Sequence, residues 1–175
     1  MTIDQDALSR LAAKDEIREL ALLYCRGVDR KDFALLRTLY TKDGVDSHGP
    51  HFNGPAEAYV QFLERSLTGF GYTGHHVCNH LISVDGDQGE GEVYALAYHL
   101  IPDGKGGLVE DLQIVRYIDR YRKEDGCWRF ASRVVSFDLL SQRPALPGQQ
   151  PPGPPEEDPS YRALSSRLFA RGPRI

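Results

Sequence analysis

The sequence has few cysteines and no long hydrophobic run. Only three cysteines occur in 175 residues, none of them in a CxxC motif, and this odd number argues against a disulfide framework. No apolar stretch approaches the roughly 20 residues that a membrane helix needs, and the polar N-terminus lacks the apolar core of a signal peptide. We therefore expect a cytoplasmic protein that does not associate with membranes.

Positive charge and the common catalytic motifs are also missing. Lys and Arg total 21 against 25 Asp and Glu, which gives a net charge of −4 and makes nucleic acid an unexpected partner. The sequence has no HEXXH motif, no zinc-ligand spacing of Cys and His, no GxSxG motif and no glycine-rich phosphate loop after a strand. We therefore expect no metal and no cofactor.

Proline is rare in the first 140 residues and frequent afterwards. Eight of the eleven prolines lie at or after Pro144. A core must therefore come mostly from residues before about 140, and the remainder is an extension that need not be regular. Within it, residues 159–168 are compatible with a short helix that places Tyr161, Leu164 and Leu168 on one side.

Hydrophobic periodicity changes from helical to strand-like along the chain. Apolar residues recur every three or four positions in the first part, where Asp32 is a candidate N-cap, and alternate from residue 75 onward. No helix-length segment separates the later strands, so they should pair antiparallel in an α+β fold, with the N-terminal helices packed on one face of a curved sheet. The predicted helices are residues 4–30, 32–40 and 55–68, and the predicted strands are residues 44–47, 75–84, 90–101, 108–123 and 127–139.

A candidate acid–base site follows from the polar residues on these elements. Asp29 ends the first helix and His75 opens the first long strand, so a carboxylate that orients an imidazole would give a general base. Asn79 is expected on the same strand face as His75, and a one-residue slip in register would put His76 there instead. Each residue also has a simpler interpretation, with Asp29 as a helix-end carboxylate and His76 as a surface residue.

Three further residues are candidates for the pocket. Tyr24 is a core residue or a catalytic one, and His99 lies on a face of small side chains that suits either a cavity wall or close packing. Arg133 lies mid-strand among apolar residues, where its charge needs a ligand or an ion pair. The candidate ion-pair partners are Asp29, Asp111 and Glu110.

Three segments resemble the SnoaL-like family of the nuclear transport factor 2-like superfamily. They are IRELALLYCRGVDRKD (17–32), HHVCNHLISVDGD (75–87) and VRYIDRYRKEDGCWRFASRVV (115–135), and the similarity spans roughly residues 10–138. The resemblance implies a cone-shaped α+β barrel with N-terminal helices on a curved, mixed, mostly antiparallel sheet. It places this domain at residues 1–139 and the extension at residues 140–175, where family members suggest a lid or a subunit contact; a disordered tail is the alternative.

Within this family, the pattern is most similar to the dehydratase and dehydrohalogenase branch, which includes scytalone dehydratase, bile acid 7α-dehydratase and hexachlorocyclohexane dehydrochlorinase. This resemblance implies that His75, held by Asp29, removes a proton from carbon without a cofactor. Tyr24 or Arg133 would polarise a carbonyl or assist the departure of hydroxide, and His99 matches a second pocket histidine by its position.

The resemblance also implies a small apolar, aromatic or polycyclic substrate and a homo-trimer or homo-dimer. The expected wall residues besides His99 and Asn79 are Phe33, Phe62, Tyr98 and Phe137. The prediction is a lyase, specifically a dehydratase. An isomerase or a retro-aldol-type lyase with the same base, a non-catalytic ligand-binding protein and the small subunit of a ring-hydroxylating oxygenase are the alternatives.

Overall fold

The computed structural model describes residues 4–146, 148 and 151–174. Helices come first and four long strands follow, as the change of periodicity predicts. None of the helices in these described ranges combines the length and apolarity that crossing a bilayer requires. The helices are α1 (Gln5–Asp29), α2 (Phe33–Thr38), α3 (Ala56–Ser66) and α4 (Ser160–Ala163), and the strands are β1 (Tyr40–Ser47), β2 (Asn53–Pro55), β3 (Tyr72–Asp85), β4 (Gln88–Pro102), β5 (Leu108–Glu124) and β6 (Cys127–Pro144).

The six strands form one mixed sheet in the order β2-β1-β6-β5-β4-β3. All neighbours are antiparallel except β1 and β6, which run parallel. The sheet is open, and α1 and α3 contribute buried side chains to the core that covers its inner face. The predicted α+β fold, with N-terminal helices on a mostly antiparallel sheet, is confirmed.

The first helix owes its position to its caps and its apolar stripe. Asp4 caps the N-terminus by accepting hydrogen bonds from two backbone N–H groups. Ile17, Leu20 and Val28 are buried along one face. Gly27 lies against α2, where an added Cβ would stand 2.7 Å from a methyl carbon of Leu36. Helix α1 continues through Gly27 to Asp29. Its last residue therefore lies beside β3, where the Asp29 carboxylate contacts His75.

Several predicted boundaries are corrected by the structure. Strand β3 begins at Tyr72, so His75 is its fourth residue and not its first. Strand β6 continues to Pro144, because residues beyond the predicted end at 139 still pair with β5.

The predicted N-cap of α2 is confirmed. Asp32 caps α2 by accepting a hydrogen bond from the Leu35 N–H at 3.1 Å.

The C-terminal segment packs against α1 without forming the predicted helix over residues 159–168. The only α-helical residues there are those of α4, a short 3-10 turn follows at Arg167–Phe169, and Leu164 and Leu168 stay exposed. So short a helix needs tertiary packing along a full face, which this segment does not receive. Contacts to Arg26 hold the segment instead: its guanidinium donates to Ser160 Oγ at 3.0 Å and to the Phe169 carbonyl at 2.8 Å.

Candidate active site

A cavity of about 250 Å³ lies between α1, α3 and the inner face of the sheet. Most of its wall is apolar or aromatic, and the predicted wall residues Phe62 and Phe137 are part of it. Imidazole groups are the main polar exception. The histidines on its wall are His48, His51, His75 and His99.

His75 and Asp29 come together as predicted. The Asp29 carboxylate accepts a hydrogen bond from the His75 backbone N–H at 2.9 Å and contacts His75 Nδ1 at 2.6 Å. The two side chains are only 8% and 16% exposed. Because Nδ1–H donates to the carboxylate, the lone pair of the neutral ring belongs to Nε2. The pair therefore has the arrangement of a general base, and His76, on the opposite strand face, is exposed.

His99 is held in the same way on the neighbouring strand. Its Nδ1 lies 3.0 Å from Asp111, which also accepts hydrogen bonds from the side-chain amides of Gln113 and Gln142. The His99 ring meets the His75 ring edge-on, with 5.6 Å between centroids. Burial, followed by the proximity of His75, lowers the pKa of His99 below its usual value. His99 is therefore a neutral polar wall residue at neutral pH.

A third histidine–carboxylate pair, which sequence reasoning missed, lies at the end of β1. His48 Nδ1 contacts the buried Asp46 carboxylate, which also accepts a hydrogen bond from Tyr40 Oη at 2.6 Å. His48 Nε2 lies 3.0 Å from Tyr59 Oη. The alternating Asp46-x-His48 spacing could have revealed this pair, because alternate residues of a strand share a face. The turn-rich composition of residues 41–54 concealed it.

Tyr24 belongs both to the core and to the cavity. Its hydroxyl lies 2.7 Å from Tyr59 Oη on the cavity wall, and its ring packs edge-on against Tyr117 and Phe130. Burial raises the pKa of Tyr24 well above its usual value. The phenol is therefore protonated at neutral pH and is able to donate or accept a hydrogen bond.

Arg133 lies outside the cavity, which corrects the expectation that it faces the substrate. Its Nε and Nη2 donate to Asp119 at 2.8 and 2.7 Å, and both side chains are 0% exposed. The rings of Tyr24, Tyr117 and Phe130 each lie 4.2 Å from its guanidinium carbon. Asp119 is therefore its ion-pair partner, and not one of the three carboxylates that the sequence suggested.

Three other expected wall residues lie elsewhere. A β-bulge between Val77 and His80 turns Asn79 outward, where it is exposed. Tyr98 precedes the inward His99 on β4, so it faces the other side of the sheet, and its ring packs against that of Tyr72. Phe33 begins α2 and packs against the core without lining the cavity.

No metal site emerges from these residues. Across residues 4–146, 148 and 151–174, no group of three or more His, Cys, Asp or Glu side chains is arranged to hold a metal ion. Each of the three paired histidines is directed toward its own carboxylate. The arrangement therefore suits proton transfer.

Comparison with known proteins gives one family and several solved structures. A family model described as the SnoaL-like domain matches residues 9–134. No curated protein matches the chain. A protein assigned as a scytalone dehydratase from Novosphingobium aromaticivorans is 23% identical with a TM-score of 0.67, over 82% of this chain and 95% of that chain.

Two further solved structures share the fold. A type 3 hexachlorocyclohexane dehydrochlorinase (LinA) from Novosphingobium barchaimii is 20% identical with a TM-score of 0.69, over 82% of this chain and 97% of that chain. A protein assigned as the β subunit of an aromatic-ring-hydroxylating dioxygenase from Novosphingobium aromaticivorans is 18% identical with a TM-score of 0.59, over 75% of this chain and 92% of that chain. At such identities these likenesses establish the architecture alone.

Proposed function

Because the chain belongs to the family of SnoaL-like domains, we propose that it is a cofactor-independent lyase, a dehydratase, whose general base is His75 held by Asp29. The observation that carries this proposal is that His75 lies on the wall of an apolar cavity and that its Nδ1 contacts the Asp29 carboxylate at 2.6 Å. The cavity volume of about 250 Å³ lies just below the roughly 300–1,000 Å³ of common ligand pockets. This size favours a small apolar or aromatic carbonyl compound over a polycyclic one.

The proposed reaction is the elimination of water from a β-hydroxy carbonyl compound. His75 Nε2 takes the proton from the carbon next to the carbonyl, and the electron pair of that C–H bond becomes the new carbon–carbon double bond. The β-carbon–oxygen bond breaks, and the hydroxyl leaves as water after it gains a proton. Asp29 stabilises the imidazolium that forms and keeps the ring in the reactive tautomer.

Solvent exchange at carbon tests the base directly. Incubating the protein in D₂O with a panel of aryl ketones (acetophenone, 1-indanone and 1-tetralone) should produce deuterium exchange at the carbon next to the carbonyl, measured by proton NMR. His75→Gln should lower the exchange rate by roughly 10²–10⁴-fold, the usual contribution of a general base. His76→Gln is the matched control, because His76 is the exposed neighbour, and it should leave the rate within about twofold. Equal rates in the wild type and His75→Gln would contradict the proposal.

Three further measurements separate the alternative functions. An isomerase or a retro-aldol-type lyase shares the proton removal, so enone formation from 3-hydroxy-1-phenylpropan-1-one identifies a dehydratase. A non-catalytic binding protein would hold the ketones without exchange. A fourth possible function is the small subunit of a ring-hydroxylating oxygenase, because this chain shares its fold with a protein assigned as a dioxygenase β subunit. That function predicts co-purification with a larger iron-containing chain.

The outer face of the sheet supports the proposal of a homo-dimer or homo-trimer. Several large apolar side chains on β3, β4, β5 and β6 are 38–73% exposed in the single chain, more than scattered surface residues would give. Sedimentation velocity should therefore show an oligomer. The residues are Leu81, Tyr94, Leu96, Ile118 and Val134.

The extension and the cysteines support two smaller parts of the proposal. Residues 152–155 and 157–159 form one wall of a groove that also includes Asp29 and His75, which supports a role as a lid. Truncation after Ala145 should then change the exchange rate, whereas an unchanged rate and assembly would make the segment an appendage.

All three cysteines are free, which supports a reducing, cytoplasmic compartment.

A further inference from the structure

A hydrogen-bonded chain of side chains leads from a solvent-accessible imidazole to a buried hydroxyl on the cavity wall. His48 Nε2 lies 3.0 Å from Tyr59 Oη, which lies 2.7 Å from Tyr24 Oη. The His48 side chain is 18% exposed, whereas Tyr59 and Tyr24 are 1% and 2% exposed. His48 is therefore the end of the chain that solvent protons reach, and a substrate bound in the cavity, which all three side chains line, would contact Tyr24.

The protonation state of His48 sets the direction of every hydrogen bond in this chain. When His48 is neutral, its Nδ1–H donates to Asp46 and its Nε2 accepts from Tyr59, which in turn accepts from Tyr24. When His48 is protonated, Nε2–H donates to Tyr59, Tyr59 donates to Tyr24, and the Tyr24 hydroxyl is left to donate into the cavity. The same three side chains therefore present an acceptor or a donor to a ligand oxygen, depending on one proton.

Tyr24 acting alone would be a poor proton donor to a ligand. Burial raises the pKa of Tyr24 and of Tyr59 well above the ordinary value, so a tyrosinate on either residue is costly. A transfer along the whole chain avoids this cost, because each phenol receives one proton as it gives another away. The charge change then falls on His48, beside the Asp46 carboxylate.

We propose that His48, Tyr59 and Tyr24 form a proton relay that acts as the general acid in the cavity, whereas His75 acts as the general base. This inference rests on the proposed function. During elimination, the leaving hydroxyl takes a proton from Tyr24, Tyr24 takes one from Tyr59, and Tyr59 takes one from His48. The carbon-bound proton goes to His75, so the products are the alkene, water, a neutral His48 and a protonated His75, and exchange with solvent resets both histidines.

His48 lies among other titratable groups that contribute to its behaviour. Asp46 on β1 and Tyr59 on α3 contact it directly. Beyond them, Tyr40 donates to Asp46 and Tyr24 follows Tyr59. His51, His75 and His99 line the same cavity, and Arg133, the strand partner of Asp46, is neutralised by Asp119.

The test uses the full-length protein without any ligand. Histidine labelled with ¹⁵N and tyrosine labelled with ¹³C at Cζ are followed by NMR from pH 5 to pH 9, and the tyrosine signals are assigned with Tyr24→Phe and Tyr59→Phe. The relay predicts that the Cζ signals of Tyr24 and Tyr59 shift together, with the same midpoint as the His48 ring. In His48→Gln, both Cζ shifts over that range should be lost.

His51→Gln is the matched control, because His51 lines the same cavity and its ring lies against Phe137, 5.8 Å between centroids. This variant should keep the shared midpoint of His48 and the two tyrosines. Tyrosine signals that stay flat while His48 titrates, or a His48 that keeps one protonation state throughout, would overturn the relay. The relay and the proposed lyase function are tested independently. The exchange rate of His75→Gln tests the lyase proposal, and the tyrosine signals test only the relay.

Discussion

Two carboxylate-centred regions meet at Tyr24 and differ in the kind of side chain that each carboxylate holds. In the closed cluster (Arg133, Asp119, Tyr121 and His80), Asp119 binds Arg133 through two hydrogen bonds and accepts a third from Tyr121 at 2.9 Å. In the cavity pairs (His75–Asp29, His99–Asp111 and His48–Asp46), each carboxylate contacts only one nitrogen of its imidazole.

This difference separates a structural charge from a reactive one. A guanidinium cannot lose its proton at ordinary pH, and both members of the Arg133–Asp119 pair are fully buried. The pair therefore has a role in the stability of the folded protein and not in proton transfer. An imidazole bound at Nδ1 keeps Nε2 available for proton transfer. Similar carboxylates therefore have different roles, which are set by the partner and by its access to the cavity.

The largest expected effect on stability lies in the closed cluster. Asp119→Asn leaves the Arg133 charge buried without a counter-charge, which should lower the free energy of unfolding by about 3–5 kcal/mol. The double variant Arg133→Met with Asp119→Leu should recover most of this loss, because it removes both charges. Urea denaturation measures both variants, and a double variant no more stable than the single one would contradict the structural role.

Two alanines on β4 give a matched comparison of packing. Ala95 and Ala97 are both buried, but only Ala97 lines the cavity. Ala95→Leu should cost about 1–3 kcal/mol of unfolding free energy because that site is already filled. Ala97→Leu should cost less and should reduce ketone exchange, because its side chain occupies substrate space. Equal stability losses from urea denaturation would indicate that the cavity is as well packed as the core.

The smallest effect concerns acid stability at the edge of the closed cluster. Burial lowers the pKa of His80 from 6.5 to about 4. The unfolded chain therefore takes up a proton that the folded chain resists, so the free energy of unfolding falls as pH drops from about 6.5 toward 4. Urea denaturation at pH 7 and pH 5 should show a smaller fall in His80→Asn than in the wild type, and an identical fall would contradict the assignment.

The sequence predicted the α+β fold and the meeting of Asp29 with His75, because both depend on periodicity and on the ends of long elements. Two β-bulges account for much of what it missed. Counting back from the turn at Glu124 pairs Asp119 with Ser132, but a bulge near Tyr121 shifts the register so that Asp119 pairs with Arg133. A second bulge turned Asn79 outward. Neither bulge leaves a clear signal in the residues themselves.

The most direct test of the account compares Asp29→Asn with Asp119→Asn in both stability and ketone exchange. In Asp29→Asn, the amide would donate to His75 Nδ1 and force the ring proton onto Nε2, so the exchange rate should fall roughly 10²–10⁴-fold. Its unfolding free energy should change by only about 1 kcal/mol. Asp119→Asn should show the reverse, a loss of about 3–5 kcal/mol with exchange by the folded protein within about tenfold of wild type. Parallel losses in both measurements for both variants would contradict the division between a structural pair and a reactive one.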